Sequence, residues 1–388
     1  MNTKAGRLRF LRRARSRRLQ RRRFLQLAAA GATGAWFCPD RVRAAPGLAR
    51  VVMVVDGQAW NGGGTSDSDI DPARARTMIA AGLRELSSQE DLRAALDSLG
   101  LATSSPDQRY ALKANCVNPH LPTHPALSQA LAQTLLEASA GGAQVTIFDR
   151  FDSELDACGY RITESGALRV LGTDHRGVGH AQGDIVLSEG VVRLSRIAAE
   201  ADHLISVAVL KNHHMAGVTL ALKNHLGSIT DPRVLHGRRN DCSPGIAELC
   251  ARPEILGKSR LWVIDAVFGT CQGGLGGEPE FAPQAVIMST DPVAADAIGK
   301  WLIDEQRTRL GLPSTESRHL QDAESLGLGT ARIDDIDLHT IVLSPPRSDF
   351  PPAPGGGCAG CSSTGRHAAP LAAALGAAGA LLRPSRRE

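Results

Sequence analysis

Short apolar runs alternate with amphipathic stretches along the chain between residues 49 and 343. Six of these runs are continuously apolar, which is typical of strands that are covered on both faces of a sheet. They predict strands at residues 51–55, 110–112, 145–148, 204–210, 261–264 and 285–288.

Helical patterns fill two of the intervals between the predicted strands. Leucines recur at every fourth position from Leu127 to Leu135, and Pro125 is suited to the first turn of that helix. A second helix is predicted from Pro292 to about residue 303, with Asp291 as its N-cap. Strands that alternate with helices predict an α/β fold with a largely parallel central sheet flanked by helices.

Charge is distributed unevenly over the 388 residues, whose formal net charge is +4. Residues 1–44 contain 12 Arg and one Lys but a single acidic residue, so the remainder carries 31 basic and 39 acidic side chains. A nucleic-acid-binding protein needs basic residues clustered on a folded face, and it commonly uses aromatic residues for base stacking. The chain has only 8 Phe, 4 Trp and 2 Tyr, and we predict no nucleic-acid partner.

The basic N-terminal segment has the pattern of an export leader. Residues 21–26 read Arg-Arg-Arg-Phe-Leu-Gln, which fits the twin-arginine pattern, and an Ala-rich apolar run follows at residues 27–37. That run is too short for a membrane anchor but typical of a signal-peptide core, and residues 42–44 resemble a cleavage site. The alternative is a disordered basic tail. We predict that residues 1–44 are recognised by the twin-arginine translocase and removed by signal peptidase.

A second targeting signal is predicted at the C-terminal end of the chain. A Pro/Gly linker at residues 344–357 follows the α/β domain at residues 45–343, and a tail at residues 358–388 contains Cys358-x-x-Cys361, an apolar run and a basic end. The cysteines alone are also compatible with a redox pair or half a zinc site. The three-part order resembles the MYXO-CTERM sorting signal, which implies a C-terminal sorting protease and attachment to the cell envelope or surface.

The body of the chain contains five cysteines, Cys116, Cys158, Cys242, Cys250 and Cys271. An odd number leaves at least one thiol unpaired within the chain in an oxidising compartment. Cys242 and Cys250 are close enough in sequence for a disulfide, but the spacing does not establish one. The pairing stays open.

Polar residues follow the predicted strands at their carboxyl ends, where open α/β sheets bind ligands. These residues are Lys113, Asn115, Asp149, Lys211, Asn212, His213, His214 and Asp265. Charged groups are costly to bury unpaired, and in a parallel sheet they would converge on one edge. The sequence therefore predicts a polar site at this edge.

The densest part of this set is the segment 211–227, which carries three histidines and two lysines. Lysines bind anionic oxygens, and histidines bind metals or transfer protons near neutral pH. A helix through Thr219 and Lys223 would place both on one face. The alternative is that a lone His or Lys at a strand end is solvated and that Asp291 is only a helix cap. No His-Glu-x-x-His, Gly-x-Ser-x-Gly or Walker-type motif is present.

Several motifs occur in a fixed order through the body. They are Lys113-x-Asn115, Thr123-x-Pro125, Gly141-Gly142-Ala143, Gly159, Leu210-Lys211-x-His213, Thr219-x-x-x-Lys223-Asn224-x-x-Gly227, His236-Gly237, Asp265, the run from Asp291 to Ala297, and Gly327-x-Gly329. In this order they resemble the family known as domain of unknown function 362, over roughly residues 50–343. Some members of that family carry iron–sulfur clusters, but this chain lacks the Cys-x-x-Cys-x-x-Cys run, so the resemblance does not imply that cofactor here.

These observations lead to one hypothesis and two rivals. The hypothesis is an exported, surface-attached enzyme that acts on a small anionic substrate. Its predicted catalytic residues are Lys211, His213, Lys223 and Asp265, its predicted substrate-binding residues are Lys113, Asn115 and Asn224, and its candidate ligands for a divalent metal are His213, Asp265, Asp291 and Asp296. The first rival is a non-catalytic metal- or anion-binding surface protein. The second is that the charged strand ends only pair with one another and serve folding. The reaction and the substrate stay open.

Overall fold

The computed structural model describes residues 48–237 and 241–350. The predicted leader at residues 1–44 and the predicted sorting tail at residues 358–388 lie outside the described residues. Within those residues the chain forms eleven strands. They are β1 (Ala49–Asp56), β2 (Arg109–Lys113), β3 (Gln144–Asp149), β4 (Leu168–Gly172), β5 (Ile185–Leu187), β6 (Gly190–Val192), β7 (His203–His213), β8 (Gly217–Thr219), β9 (Ser259–Gly269), β10 (Ala285–Ser289) and β11 (Ile336–Ser344).

A mixed sheet with the strand order β11-β1-β10-β9-β7-β2-β3-β4 forms the centre of the fold. Strand β10 runs antiparallel to both of its neighbours, and every other pairing along this order is parallel. Strand β8 folds back on β7 as a hairpin, and β5 pairs with β6 separately. The largely parallel sheet that the sequence predicts is confirmed.

All six predicted strands are confirmed, because their continuous apolar runs are buried on both faces of the sheet. In β1, for example, Val52 and Val54 pack into one hydrophobic layer while Val51, Met53 and Val55 pack into the other. Strands β4 and β11, which the apolar pattern did not predict, lie at the two edges of the sheet and are partly exposed.

Helices cover both faces of the sheet. They are α1 (Pro72–Ser87), α2 (Leu92–Ser98), α3 (Pro125–Ala138), α4 (Asp152–Ala157), α5 (Arg196–Glu200), α6 (Gly245–Ala251), α7 (Pro253–Leu256), α8 (Pro292–Arg309) and α9 (Arg318–Ser325). Helices α1, α2 and α3 pack into one layer, and α6, α8 and α9 pack into the other. Among the described residues, no helix combines the length and the apolar composition that crossing a membrane requires.

The two predicted helices are present with their predicted starts. Helix α3 begins at Pro125, and α8 begins at Pro292 after the N-cap Asp291, whose Oδ1 accepts a hydrogen bond from the Ala294 N–H at 2.8 Å. The suggested helix through Thr219 and Lys223 is wrong. Thr219 ends β8, where it pairs with Lys211, and Lys223 begins a 3-10 helix (Lys223–Ser228).

Replacing Ile287 by Ala tests the central position of β10. Ile287 is fully buried between β1 and β9, so we expect the free energy of unfolding to fall by about 2–4 kcal/mol. Val342 lies on the edge strand β11 and is 52% exposed, so Val342→Ala should change it by no more than about 0.5 kcal/mol. Urea unfolding measures both, and equal losses would contradict this packing.

Candidate functional site

A buried ion pair joins the carboxyl ends of β2 and β3. The Nζ of Lys113 lies 2.5 Å from Oδ1 of Asp149, and the two side chains are 1% and 4% exposed. Both members form further hydrogen bonds, because Nζ donates to the Ala114 carbonyl at 2.6 Å and Oδ2 of Asp149 accepts from the Cys116 N–H at 2.7 Å. Adjacent parallel strands that end together place these two side chains next to each other.

A second buried pair joins the start of α3 to β9. Oδ2 of Asp265 accepts hydrogen bonds from the His124 backbone N–H at 2.9 Å and from its Nδ1 at 2.7 Å. Burial opposes a charge on the ring, but the attraction and hydrogen bond of Asp265 outweigh it, and the pKa of His124 is raised above its usual value. His124 and Asp265 therefore form a hydrogen-bonded pair that favours the charged imidazolium.

Lys211 is fully buried near the end of β7 and forms no ion pair with an acidic residue in the part of the chain that the structure describes. Its Nζ donates to Oδ1 of Asn115 at 3.0 Å. Burial lowers the pKa of Lys211 to about 8, although Asp149 and Asp265 attract its charge and act in the opposite direction. Lys211 is thus a buried cation near two carboxylates that already have partners.

Two asparagines connect Lys211 to the backbone around it. The Nδ2 of Asn115 donates to Oδ1 of Asn224 at 3.3 Å, and the Nδ2 of Asn224 donates to the Lys113 carbonyl at 2.8 Å and to Oγ of Ser206 at 3.1 Å. Both amides are buried. The predicted substrate-binding residues Lys113, Asn115 and Asn224 therefore belong to one network with Lys211.

His213 and Lys223 lie together in a neighbouring cluster. The Nδ1 of His213 accepts hydrogen bonds from the N–H groups of Met215 at 3.2 Å and Ala216 at 3.1 Å. Burial and the charge of Lys223 lower the pKa of His213 to about 3. Lys223 also lowers the pKa values of His236 and His319, after the larger effect of burial on each.

Asp291 and Asp296 lie at the beginning of α8, where both accept backbone hydrogen bonds. Asp291 caps α8 and also accepts from the Thr330 N–H at 3.2 Å, and burial raises its pKa to about 6. Asp296 accepts from the N–H groups of Ala221 at 2.7 Å and Leu222 at 3.1 Å, and burial raises its pKa to about 8. Within residues 48–237 and 241–350, no group of three or more His, Cys, Asp or Glu side chains is arranged to hold a metal ion.

The five cysteines of the body are free, buried thiols. Cys242 and Cys250 do not form a disulfide in this structure. Cys158 donates to the Cys116 carbonyl at 3.3 Å, beside the Lys113–Asp149 pair. Burial raises the pKa of the Cys116 thiol well above its usual value, which disfavours the reactive thiolate.

A cavity of about 450 Å³ opens at the same edge of the sheet, beyond β3 and β4. Its lining includes the side chains of Arg150, Arg176 and Arg196 and the backbone of Gly227. A Cβ at Gly227 would lie 2.5 Å from the Lys113 Nζ and 2.8 Å from Oδ1 of Asp149. The Gly227 peptide therefore separates this basic cavity from the buried ion pair.

Three polar residues of these clusters, His124, Ser317 and His319, are not among the site residues that the sequence predicts. His124 was passed over between Thr123 and Pro125, although a polar side chain directly before a helix-starting proline is a signal that could have drawn attention to it. Ser317 and His319 adjoin the His213 cluster from more than 90 residues away in the sequence. No local pattern indicates that proximity.

The comparisons with known proteins bear on the body of the chain. Residues 111–300 match the model of the family described as Domain of unknown function (DUF362). This match extends from β2 into α8, and it supports the resemblance of the body to that family. No curated protein matches the sequence significantly.

Two solved structures are similar in part. The lactate racemase apoprotein from Thermoanaerobacterium thermosaccharolyticum has 13% sequence identity and a TM-score of 0.37, over 66% of this chain and 56% of that chain. A structural-genomics protein from Thermotoga maritima has 9% identity and a TM-score of 0.37, over 61% of this chain and 59% of that chain. The chain thus spans less than two thirds of the length of either protein.

Replacing Asp149 by Asn should leave Lys113 buried without its counter-ion. We expect the free energy of unfolding to fall by about 3–5 kcal/mol, because an uncompensated buried charge is costly. Adding Lys113→Met to the Asp149→Asn variant should recover much of the loss.

Urea unfolding of the single and double variants measures this coupling. The exposed pair Arg193–Asp184 is the control, and Asp184→Asn should cost less than about 1 kcal/mol. A double variant as unstable as Asp149→Asn would show that the charge on Lys113 is not the cause.

Proposed function

We propose that this chain, whose body carries the DUF362 match, is an enzyme that acts on a small anionic substrate and uses Lys211 for proton transfer. The observation that carries the proposal is the burial of Lys211 without an acidic partner. A buried ammonium group is unfavourable unless a negative charge compensates it.

The pairing of the surrounding charges supports this role. Asp149 is engaged by Lys113 at 2.5 Å and Asp265 by His124 at 2.7 Å, and neither carboxylate forms an ion pair with Lys211. An anionic group that approached Lys211 would supply the missing charge. The hydrogen bonds of Asn115 would hold the Lys211 amine in a fixed position while the anionic group binds.

The acidity of Lys211 also suits proton transfer. With a pKa of about 8, a fraction of the side chain is a neutral amine at neutral pH, and that amine can accept a proton from a bound substrate. The charged form can return the proton. Asp265, which acts electrostatically on Lys211, also holds the His124 ring in a fixed position.

A Gly-rich loop at residues 271–279 is hydrogen-bonded to residues near the carboxyl ends of β2 and β7. The N–H of Gly274 donates to Oδ1 of Asn212 at 2.9 Å, and the Nδ2 of Asn118 donates to the Gly277 carbonyl at 2.8 Å.

The rival proposal is a non-catalytic protein that holds an anion at this edge of the sheet. A divalent metal bound by His213, Asp265, Asp291 or Asp296 also stays a proposal. His213 would have to use Nε2 for a metal, because its Nδ1 already accepts two hydrogen bonds.

Replacing Lys211 by Met tests the proposed enzyme. In a screen of small carboxylates and phosphate esters, we expect the wild type to turn over at least one compound and Lys211→Met to lose at least about 100-fold in kcat/KM. The wild-type kcat/KM should rise with pH and level off above about pH 8, since the neutral amine is the base.

The stability of Lys211→Met and the activity of a second lysine variant are measured as controls. The lowered pKa of Lys211 means that its charged form destabilises the folded protein below about pH 8. This destabilisation disappears as the pH rises above that value. Lys211→Met should therefore be at least as stable as the wild type at pH 7. Lys300→Met removes a lysine paired with Asp304 on α8 and should keep its activity. Binding without turnover in the wild type would contradict catalysis, and a strongly destabilised Lys211→Met would indicate a role in folding.

Export and surface attachment are proposals that rest on the sequence of the two ends. Replacing Arg21 and Arg22 by Lys should trap unprocessed protein in the cytoplasm, because the translocase recognises the arginine pair rather than its charge. Immunoblots of cell fractions measure the unprocessed form. The control is Arg17→Lys with Arg18→Lys, which should still be exported, and unchanged secretion of the first variant would contradict the assignment of the leader.

A further inference from the structure

Lys223 differs from the other lysines of the described chain in its lack of a partner. Lys113 and Lys300 form ion pairs, and Lys211 and Lys258 donate hydrogen bonds. Lys223 is 7% exposed and forms neither interaction with any described residue. It is therefore a nearly buried lysine with no hydrogen-bond acceptor or ion-pair partner among the described residues.

Two more polar side chains without partners lie in the same part of the fold. His319 is fully buried, and neither its Nδ1 nor its Nε2 has a hydrogen-bond partner among the described residues. Ser317 is the N-cap residue of α9, but its buried Oγ accepts no hydrogen bond from the helix and has no described partner. Native proteins rarely leave buried donors in this state unless something else binds them.

The backbone brings these groups together. Gly217 pairs with His213 across the β7–β8 hairpin, and a Cβ at Gly217 would lie only 2.4 Å from the Oγ of Ser317. Helix α9, which contains His319, packs on α6, and α6 packs on the 3-10 helix that begins at Lys223. The β7–β8 hairpin, the start of the 3-10 helix and the start of α9 thus lie in one region.

His213 offers a donor to the same region. Its Nδ1 accepts two backbone hydrogen bonds, at 3.2 and 3.1 Å, so the ring hydrogen of the neutral imidazole is on Nε2. The ring orientation is fixed by these bonds. Nε2 is therefore a positioned N–H donor.

We propose that Lys223, His213, His319 and Ser317 form a binding site for a tetrahedral oxyanion of the phosphate or sulfate class. The group provides one cation and three neutral donors, which is the composition expected for such an anion. A metal cation would meet the positive charge of Lys223. The site is one of binding, and it stands whether or not Lys211 catalyses a reaction.

The electrostatics of the cluster agree with this chemistry. Burial and Lys223 lower the pKa values of His213 and His319 to about 3, so both histidines are neutral at pH 7, and burial also lowers the pKa of Lys223. Asp241, which acts electrostatically on His319, is itself paired with Arg318 at 3.8 Å. An oxyanion would neutralise the charge on Lys223 and give partners to Ser317 and His319.

Thermal unfolding and calorimetric titration with inorganic phosphate test the site. At pH 7 and constant ionic strength, phosphate should bind the purified protein and raise its Tm, while chloride should not. Lys223→Met should lose at least about tenfold in phosphate affinity, because a charge-assisted contact is removed. Without phosphate, its Tm should equal or exceed that of the wild type, since an uncompensated buried charge has been removed.

Further variants keep the proposal falsifiable if Lys223→Met does not fold. His319→Phe and Ser317→Ala should each weaken phosphate binding, whereas Lys211→Met and Lys300→Met should retain it. Retention of binding by Lys211→Met separates this site from the proposed catalytic lysine. The proposal would be overturned if phosphate and sulfate failed to bind the wild type, if acetate bound instead, or if the Lys223, His319 and Ser317 variants bound phosphate as the wild type does.

Discussion

The free-energy cost of burying positive charge at one edge of the sheet governs the arrangement of polar groups in this protein. Three lysines are buried there, and the surrounding structure compensates each to a different degree. Lys113 has a carboxylate at 2.5 Å, Lys211 has one neutral amide oxygen, and Lys223 has no described partner. A charge in a low-dielectric interior is costly unless it is paired. The compensation decreases from Lys113 to Lys211 to Lys223, and the two less compensated lysines are the positions where we propose that a ligand binds.

The parallel arrangement of the strands brings these charged residues together. Strands β2, β3 and β7 run in the same direction, so the residues that follow them meet at one edge. The side chains of Asn115 and Asn224 then fill the gaps between strands with neutral hydrogen bonds, which orders the site without adding charge. Edge geometry and desolvation together explain why the polar residues are buried here and not solvated.

The sequence predicted six of the strands and the polar residues at their ends, and the features that it did not predict have physical causes. Continuous apolar runs identified the central strands, but β4 and β11 are half-exposed edges, and their mixed composition hides them. Lys113 and Lys211 were found because strand ends are readable locally. The contact of Asp265 with His124 and the approach of Ser317 to Gly217 depend on segments about 100 or more residues apart, which only the tertiary fold brings together.

Gly227 shows how the ion pair limits sequence change at a residue that takes no part in it. Glycine is needed at this position for space and not for its backbone conformation. A Cβ would lie too close to the Nζ of Lys113 and to Oδ1 of Asp149, and hydrogen bonds hold both atoms in place. Even the smallest substitution would therefore have to break a buried electrostatic contact to fit. Gly227 also lines the neighbouring basic cavity, so at this residue only the backbone lies between a molecule in the cavity and the Lys113–Asp149 pair.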